Sequence, residues 1–180
     1  IKDNTTTTAV GEANAQSITA PSITGYTFKE WTLGNGITNK SANTTTSTIS
    51  ITTKESGNYT LSANYDVIPC NFLYGSSTPL NSPTDGGKMN YDPNEKAYYI
   101  DVTTNSSPYH FRFKYNSSKQ YSCDWSTYPA GKEIKADGVK VDCNKEVTDW
   151  ENKSALEFNG ANGSAIRIWF DYTNKKAWIT

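Results

Sequence analysis

Apolar and polar side chains alternate with a period of two along most of this chain, and no stretch places apolar residues at the 3.6-residue spacing of an amphipathic helix. Residues 26–31, 47–52 and 58–65 each alternate between Gly- or Asn-rich turns, which predicts short strands. Threonine recurs through this region, and its stiffness at the first side-chain torsion favours strand over helix. Further along, residues 72–74 open a strand, 79–88 form a turn-rich stretch of Ser, Pro, Asp and Gly, and 91–102 read as a loop entering a strand. The cleanest alternation covers 109–115. Tyr109, Phe111, Phe113 and Tyr115 fall on one face, and His110, Arg112 and Lys114 on the other, so His110 and Arg112 are expected on a solvated outer face. Residues 165–170 and 176–180 predict a closing hairpin around a turn at 171–175, with Trp169 and Trp178 expected to pack between sheets. The pattern predicts an all-β chain.

Composition divides this pattern in two. Sixteen threonines and only five aromatics precede Asp66, whereas eighteen of the 23 aromatics follow it, so a boundary is placed near 66–69. The expected domains are residues 1–66, a small module, and residues 67–180, an antiparallel β-sandwich. Trp31 is the only tryptophan of the first, and a module this small needs it in the core.

Charge then narrows the function. Lys and Arg number 17 against 18 Asp and Glu, a formal net charge of -1, which removes the basic field that nucleic acid or an anionic membrane requires. No run approaches the roughly 20 apolar residues of a membrane-spanning helix. Polarity comes from Thr, Asn and Ser more than from charge, a surface suited to an extracellular protein. The start, Ile1-Lys2-Asp3-Asn4, does not read as a signal peptide, so for a secreted protein the chain reads as an excised piece. His110 is the one histidine, and no nucleophile elbow, phosphate loop, dinucleotide fingerprint or zinc-protease motif occurs, so a non-enzyme is expected, with no cofactor and no metal. Cys70, Cys123 and Cys143 allow at most one intrachain disulfide, and idle buried thiols are the favoured reading. The turn at Asp85-Gly86-Gly87 leaves calcium open.

Two resemblances add to this. Residues 20–31, Ala-Pro-Ser-Ile-Thr-Gly-Tyr-Thr-Phe-Lys-Glu-Trp, followed by Tyr59-Thr60-Leu61-Ser62-Ala63-Asn64-Tyr65, resemble the internalin-type repeat of bacterial surface proteins, found in Listeria and Bacteroides. The resemblance implies a small β-grasp-like or Ig-like spacer module. Glu30 stands where that family has glycine.

The second concerns the aromatics at 115–128, which leave the strand period in a polar, turn-prone stretch. Taken alone, these residues suit either a loop anchor or a platform on which the apolar face of a pyranose stacks. Gly87-Lys88-Met89, the strand from Tyr109 to Lys114, the loop with Trp125 and Tyr128, and the closing stretch 166–175 together resemble the starch-binding β-sandwich modules of gut-bacterial amylosome proteins and of Bacteroides surface lipoproteins. Tyr128-Pro129 replaces the Tyr-Gly of many members. The resemblance implies non-catalytic binding of starch or maltooligosaccharides at a cell surface by a monomer, beside other starch-degrading proteins. The site it implies comprises Trp125, Tyr128, Tyr121, Tyr115, Lys114, Lys119 and Asp124, with Trp150 as either anchor or platform. The alternative is a surface adhesion or stalk protein that binds a protein partner and no sugar.

Overall fold

The structure, a computed structural model, describes residues 2–8, 15–53, 58–75, 80, 83–122, 132–147 and 155–180. Among them there is no helix, and antiparallel sheets account for nearly all the regular structure. No helix among these residues is therefore long and apolar enough to cross a membrane. The chain divides into two compact units, Ile1–Ile68 and Pro69–Thr180.

The first unit holds β1 (Lys2–Thr8), β2 (Gln16–Thr19), β3 (Tyr26–Leu33), β4 (Ile37–Asn39), β5 (Thr48–Thr53) and β6 (Asn58–Val67). They form two three-stranded sheets, β1-β6-β3 and β2-β5-β4. Both contribute to one core, in which Trp31, Leu61, Ala63 and Tyr65 meet Ile49 and Ile51. Strand β3 departs from simple alternation. Its apolar residues, Tyr26, Phe28, Trp31 and Leu33, slip phase between 28 and 31, and a bulge between Phe28 and Glu30 absorbs the extra residue. Phe28 consequently stands opposite Tyr65 and Trp31 opposite Ala63, so both reach the core that a regular strand would grant to one alone. The Trp31 indole N–H donates to the Thr46 carbonyl at 3.1 Å, and the ring lies 5.5 Å from that of Phe28.

The second unit holds β7 (Cys70–Gly75), β8 (Thr84–Lys88), β9 (Asn90–Asp92), β10 (Ala97–Thr103), β11 (Tyr109–Tyr115), β12 (Lys119–Ser122), β13 (Lys132–Glu133), β14 (Val141–Asp142), β15 (Lys145–Val147), β16 (Leu156–Phe158), β17 (Ala165–Asp171) and β18 (Lys176–Ile179). One sheet runs β14-β18-β17-β10-β9. The other is built on β11, which has β7 and then β8 on one side and shares its other side between β16 and β12. Beyond these lie β13 and β15. Phe113 of β11 stacks on Phe170 of β17 at 4.4 Å with rings 5° apart, which sets the two sheets face to face.

Local chemistry shapes the hairpins of the five-stranded sheet. In the turn from β9 to β10, the Asp92 carboxylate accepts the backbone N–H of Asn94 and Glu95, and in the turn from β17 to β18 Asp171 accepts that of Asn174. Each turn ends on a lysine, Lys96 or Lys175, at φ 53°. Asp-x-x-x-Lys is thus used twice for one geometry, with the side-chain cap offsetting the left-handed residue.

One expectation is overturned here. His110 and Arg112 do not face solvent: they are 2% and 1% exposed. By register they share their face with Leu73, Gln120 and Val147, all buried, so this side of β11 is covered as well. Alternation identified the two faces but could not reveal that both are covered. His110 Nε2 lies 3.0 Å from Glu157 Oε2, a partner directly across the ladder.

Cys70 is a buried free thiol whose sulfur contacts Met89 at 3.8 Å, and burial pushes its pKa far up. Alkylation of the native chain followed by peptide mapping should leave Cys70 unmodified, and it should react fully after denaturation; labelling under native conditions would contradict this packing. Trp31→Ala should cost the first unit about 3 to 5 kcal/mol, comparable with its whole stability. Limited proteolysis with mass spectrometry should then show cleavage throughout residues 1–68 and an intact 69–180.

Candidate functional site

The residues implied for sugar binding separate in the structure. Tyr115 and Tyr121 point between the sheets, and Lys119, exposed at the strand end, shares their face by its register opposite Tyr115, whereas Lys114 pairs with Gln120 on the opposite face. Lys114 is therefore not beside the other three. Trp125, Tyr128, Asp124 and Trp150 lie outside the described residues.

Tyr115 and Tyr121 are buried and act as supports. Tyr115 lies flat against half-buried Tyr172, 3.5 Å between centroids and 6° between planes, while Tyr121 meets Tyr172 edge-on at 5.6 Å. The Lys175 ammonium sits 3.0 Å over the Tyr172 centroid and 4.4 Å from that of Tyr121. Burial pushes the Lys175 pKa down, opposed by its contact with Tyr172, and burial pushes the Tyr121 and Tyr115 phenols up. Lys119 is engaged by Glu146 at 3.1 Å. With a tyrosine on one side and an ammonium over the ring, Tyr172 offers a sugar no free stacking surface unless Lys175 moves.

The tryptophans of the final hairpin lie elsewhere than expected. Phe170 fills the space between the sheets, so its neighbour Trp169 faces the outside of the five-stranded sheet, directly opposite Trp178. The two indoles are parallel within 4° at 5.5 Å. Lys140 lies 4.2 Å over Trp178, and Arg167 lies 4.5 Å over Tyr99 and 5.7 Å over Trp169. Asp101 accepts two hydrogen bonds from Arg167, at 2.7 and 2.8 Å, which hold its carboxyl below the usual carboxylate range. Exposures of 8% for Trp169 and 5% for Trp178 make this a closed cation–aromatic stack. A groove of about 530 Å³ beside it is lined by Asp101, Val102, Thr103, Ala165, Ile166, Arg167 and Thr180, none of them aromatic.

An aromatic wall with room beside it occurs at the opposite end of β11 from Tyr115, about 20 Å away at the strand rise per residue. There a cleft of about 210 Å³ opens between the sheets, lined by Phe72, Tyr74, Gly86, Val102, Thr103, Asn105 and Tyr109. Tyr74 of β7 and Tyr109 of β11 stack at 5.6 Å with planes 23° apart, and Phe72 stacks on both. Tyr74 is half-buried, and Asn105, just past the end of β10, is exposed across the cleft from it. The cleft exists because β9 pairs with β10 only at Ala97, Tyr98 and Tyr99. Past Tyr99, β17 is the one sheet neighbour of β10 among the described residues, so an edge of main chain is presented there. Gly86 closes the other side. A Cβ there would approach Phe72 to 2.7 Å and Tyr74 to 3.1 Å, so its glycine lets both rings lie under edge strand β8.

These residues come from three stretches, 72–74, 86 and 102–109, and only Tyr109 belongs to the clean alternating run of 109–115. Tyr74, Asn105 and Gly86 carry no local signal that sets them together. The Asp85 oxygens are occupied by Gly87 N–H at 2.8 Å and by the Asn71 amide at 3.0 Å. Among the described residues no group of three or more His, Cys, Asp or Glu is placed to hold a metal ion.

Burial pushes the Tyr109 and Tyr98 phenols well above their ordinary range, so the folded chain keeps those protons while the unfolded chain loses them near pH 10. Their contribution to stability is fully present below that pH and is lost as pH rises above it. Phenolate absorbance during an alkaline titration should therefore rise together with cooperative unfolding; smooth ionisation of every tyrosine with the fold intact would contradict the burial. No protein-family model matches the chain, and no curated protein or solved structure matches it significantly.

Proposed function

We propose that the second unit binds α-glucan without cleaving it, as a module of a bacterial cell-surface protein in which the first unit serves as a spacer. The observation that carries this reading is the inter-sheet cleft. The half-buried Tyr74 ring, backed by buried Tyr109 and Phe72, supplies an apolar wall of the kind that accepts the C–H face of a pyranose. Asn105 and the main-chain edge of β10 supply donors and acceptors for its hydroxyls. Starch and maltooligosaccharides are the proposed ligands, and other surface starch-degrading proteins the proposed neighbours. Each hydroxyl taken from water returns its water hydrogen bonds, so affinity in the micromolar to millimolar range, about -4 to -8 kcal/mol, suffices when several modules act together.

A second reading, a stalk that binds protein and no sugar, draws on the cations laid over Tyr172, Tyr99 and Trp178. Rings used in that way stiffen a spacer.

Retention of the full chain on insoluble starch, with cellulose and xylan as controls, separates the two. Starch should retain it and the controls should not, and maltoheptaose should give heat on titration; no retention and no heat would favour the stalk. Release of reducing sugar from starch by the purified chain would instead require an enzyme. Tyr74→Ala should weaken maltoheptaose binding by about 1 to 3 kcal/mol, the scale of a lost stacking ring, and Asn105→Ala by about 1 kcal/mol, with circular dichroism showing both variants folded. Trp125→Ala and Trp150→Ala belong in the same series. If Trp125→Ala abolishes binding while Tyr74→Ala binds as the parent does, the site lies on the segment around Trp125 and not in the cleft.

A further inference from the structure

Three Asn-Gly steps occur in the chain, Asn35-Gly36, Asn159-Gly160 and Asn162-Gly163, all outside the strands. At such a step the following backbone nitrogen can attack the asparagine side chain, because glycine has no Cβ to obstruct the approach. The attack needs a side-chain amide free to turn towards the main chain and a glycine N–H free of other partners. The fold withholds one or the other at two of the three. Gly163 N–H donates to the Thr104 carbonyl at 2.8 Å, and Ser164 N–H to the Ala161 carbonyl at 3.1 Å, which fixes the turn to the end of β10. Asn159 Nδ2 donates to Glu157 Oε1 at 2.8 Å, and Glu157 is held in turn by His110.

At Asn35-Gly36 neither hold exists. Both residues are exposed, and among the described residues none bonds the Asn35 side chain or the Gly36 N–H. They are the central pair of a turn closed only by a long bond, Ile37 N–H to the Gly34 carbonyl at 3.3 Å, with Gly36 at φ 81°. We propose that Asn35 is a site of self-modification, selected by the fold over Asn159 and Asn162. The Gly36 nitrogen bonds to Asn35 Cγ and closes a cyclic imide. The Cγ–Nδ2 bond breaks, and the nitrogen leaves as ammonia with the Gly36 amide proton. Water, the only co-reactant, then opens the imide at either carbonyl, which leaves an aspartyl or an isoaspartyl link at position 35 with no net oxidation or reduction.

The isoaspartyl link adds a carbon to the main chain where it passes from β3 in one sheet of the first unit to β4 in the other. There is no slack to absorb it. Gly34 N–H is bonded to the Thr60 carbonyl at 3.1 Å, and Gly36 lies so near Tyr59 that a Cβ would come within 2.6 Å of the ring. Modification therefore loosens the first unit.

Peptide mass spectrometry of the full chain aged in mildly alkaline buffer, native and in denaturant, tests this. In denaturant the three steps should convert at similar rates. In the native chain Asn159 and Asn162 should convert roughly ten-fold more slowly than Asn35, the scale set by one hydrogen bond that must first break. Asn35→Gln, whose longer side chain closes its ring far more slowly, should stay unmodified at that position with an unchanged circular dichroism spectrum. Limited proteolysis should cut the aged parent within residues 1–68 and leave 69–180 intact, while the aged Asn35→Gln chain resists. Native conversion at Asn159 or Asn162 as fast as at Asn35, or a native Asn35 that stays unchanged while the denatured chain converts, would overturn the proposal. Conversion at Asn35 with proteolysis equal to that of Asn35→Gln would overturn the loosening.

Discussion

Phe113 lying flat on Phe170, 4.4 Å between centroids, decides the face taken by every neighbouring residue of the second unit. Side chains in a strand alternate, so once Phe113 is committed to the space between the sheets, Phe111 and Tyr115 share that space while Arg112 and Lys114 take the other side. On the facing sheet the same rule sends Tyr98 and Phe170 inwards and Tyr99 and Trp169 outwards. A one-residue slip of β17 would bring Trp169 against Phe113 and expel Phe170, and a slip of β11 would turn Arg112 or Lys114 towards Phe170, so the register is held by the full width of the aromatic layer.

That layer explains why so many aromatic residues leave so little free ring surface. Rings at the two ends of the interlayer meet different fates. Where the sheets end at Tyr115, Tyr172 folds over and is covered by Lys175. Where they end at Tyr109, β9 has already left β10, and the rings of Tyr74 and Tyr109 border a cleft. Outside the five-stranded sheet, Arg167 and Lys140 cover Tyr99, Trp169 and Trp178. Cations over ring faces bind those rings to the fold and also remove them from ligands. A high aromatic content is therefore weak evidence for a sugar platform until the partner over each ring is known.

The first unit solves a different problem. It has few large apolar residues, and its sequence places Phe28 and Trp31 three apart, on opposite faces of a regular strand. The bulge in β3 brings both to the core. A glutamate, Glu30, stands beside that bulge and pairs across to Asn64 on the exposed side.

By itself the sequence determined the all-β class, through recurrent period-two alternation and the absence of any helical stripe, and it placed the closing hairpin and the Asp171–Lys175 turn, because both depend on neighbours within a few residues. It also separated the two faces of β11. Only the tertiary structure decided that His110 and Arg112 are buried, that Trp169 and Trp178 lie outside the sheets, and that Lys114 is turned away from Tyr115 and Tyr121. Periodicity reports which residues share a face and is silent on what that face meets. The cleft was illegible for the same reason. Tyr74, Gly86, Asn105 and Tyr109 come together through sheet pairing and strand length, which depend on contacts between segments far apart in the chain.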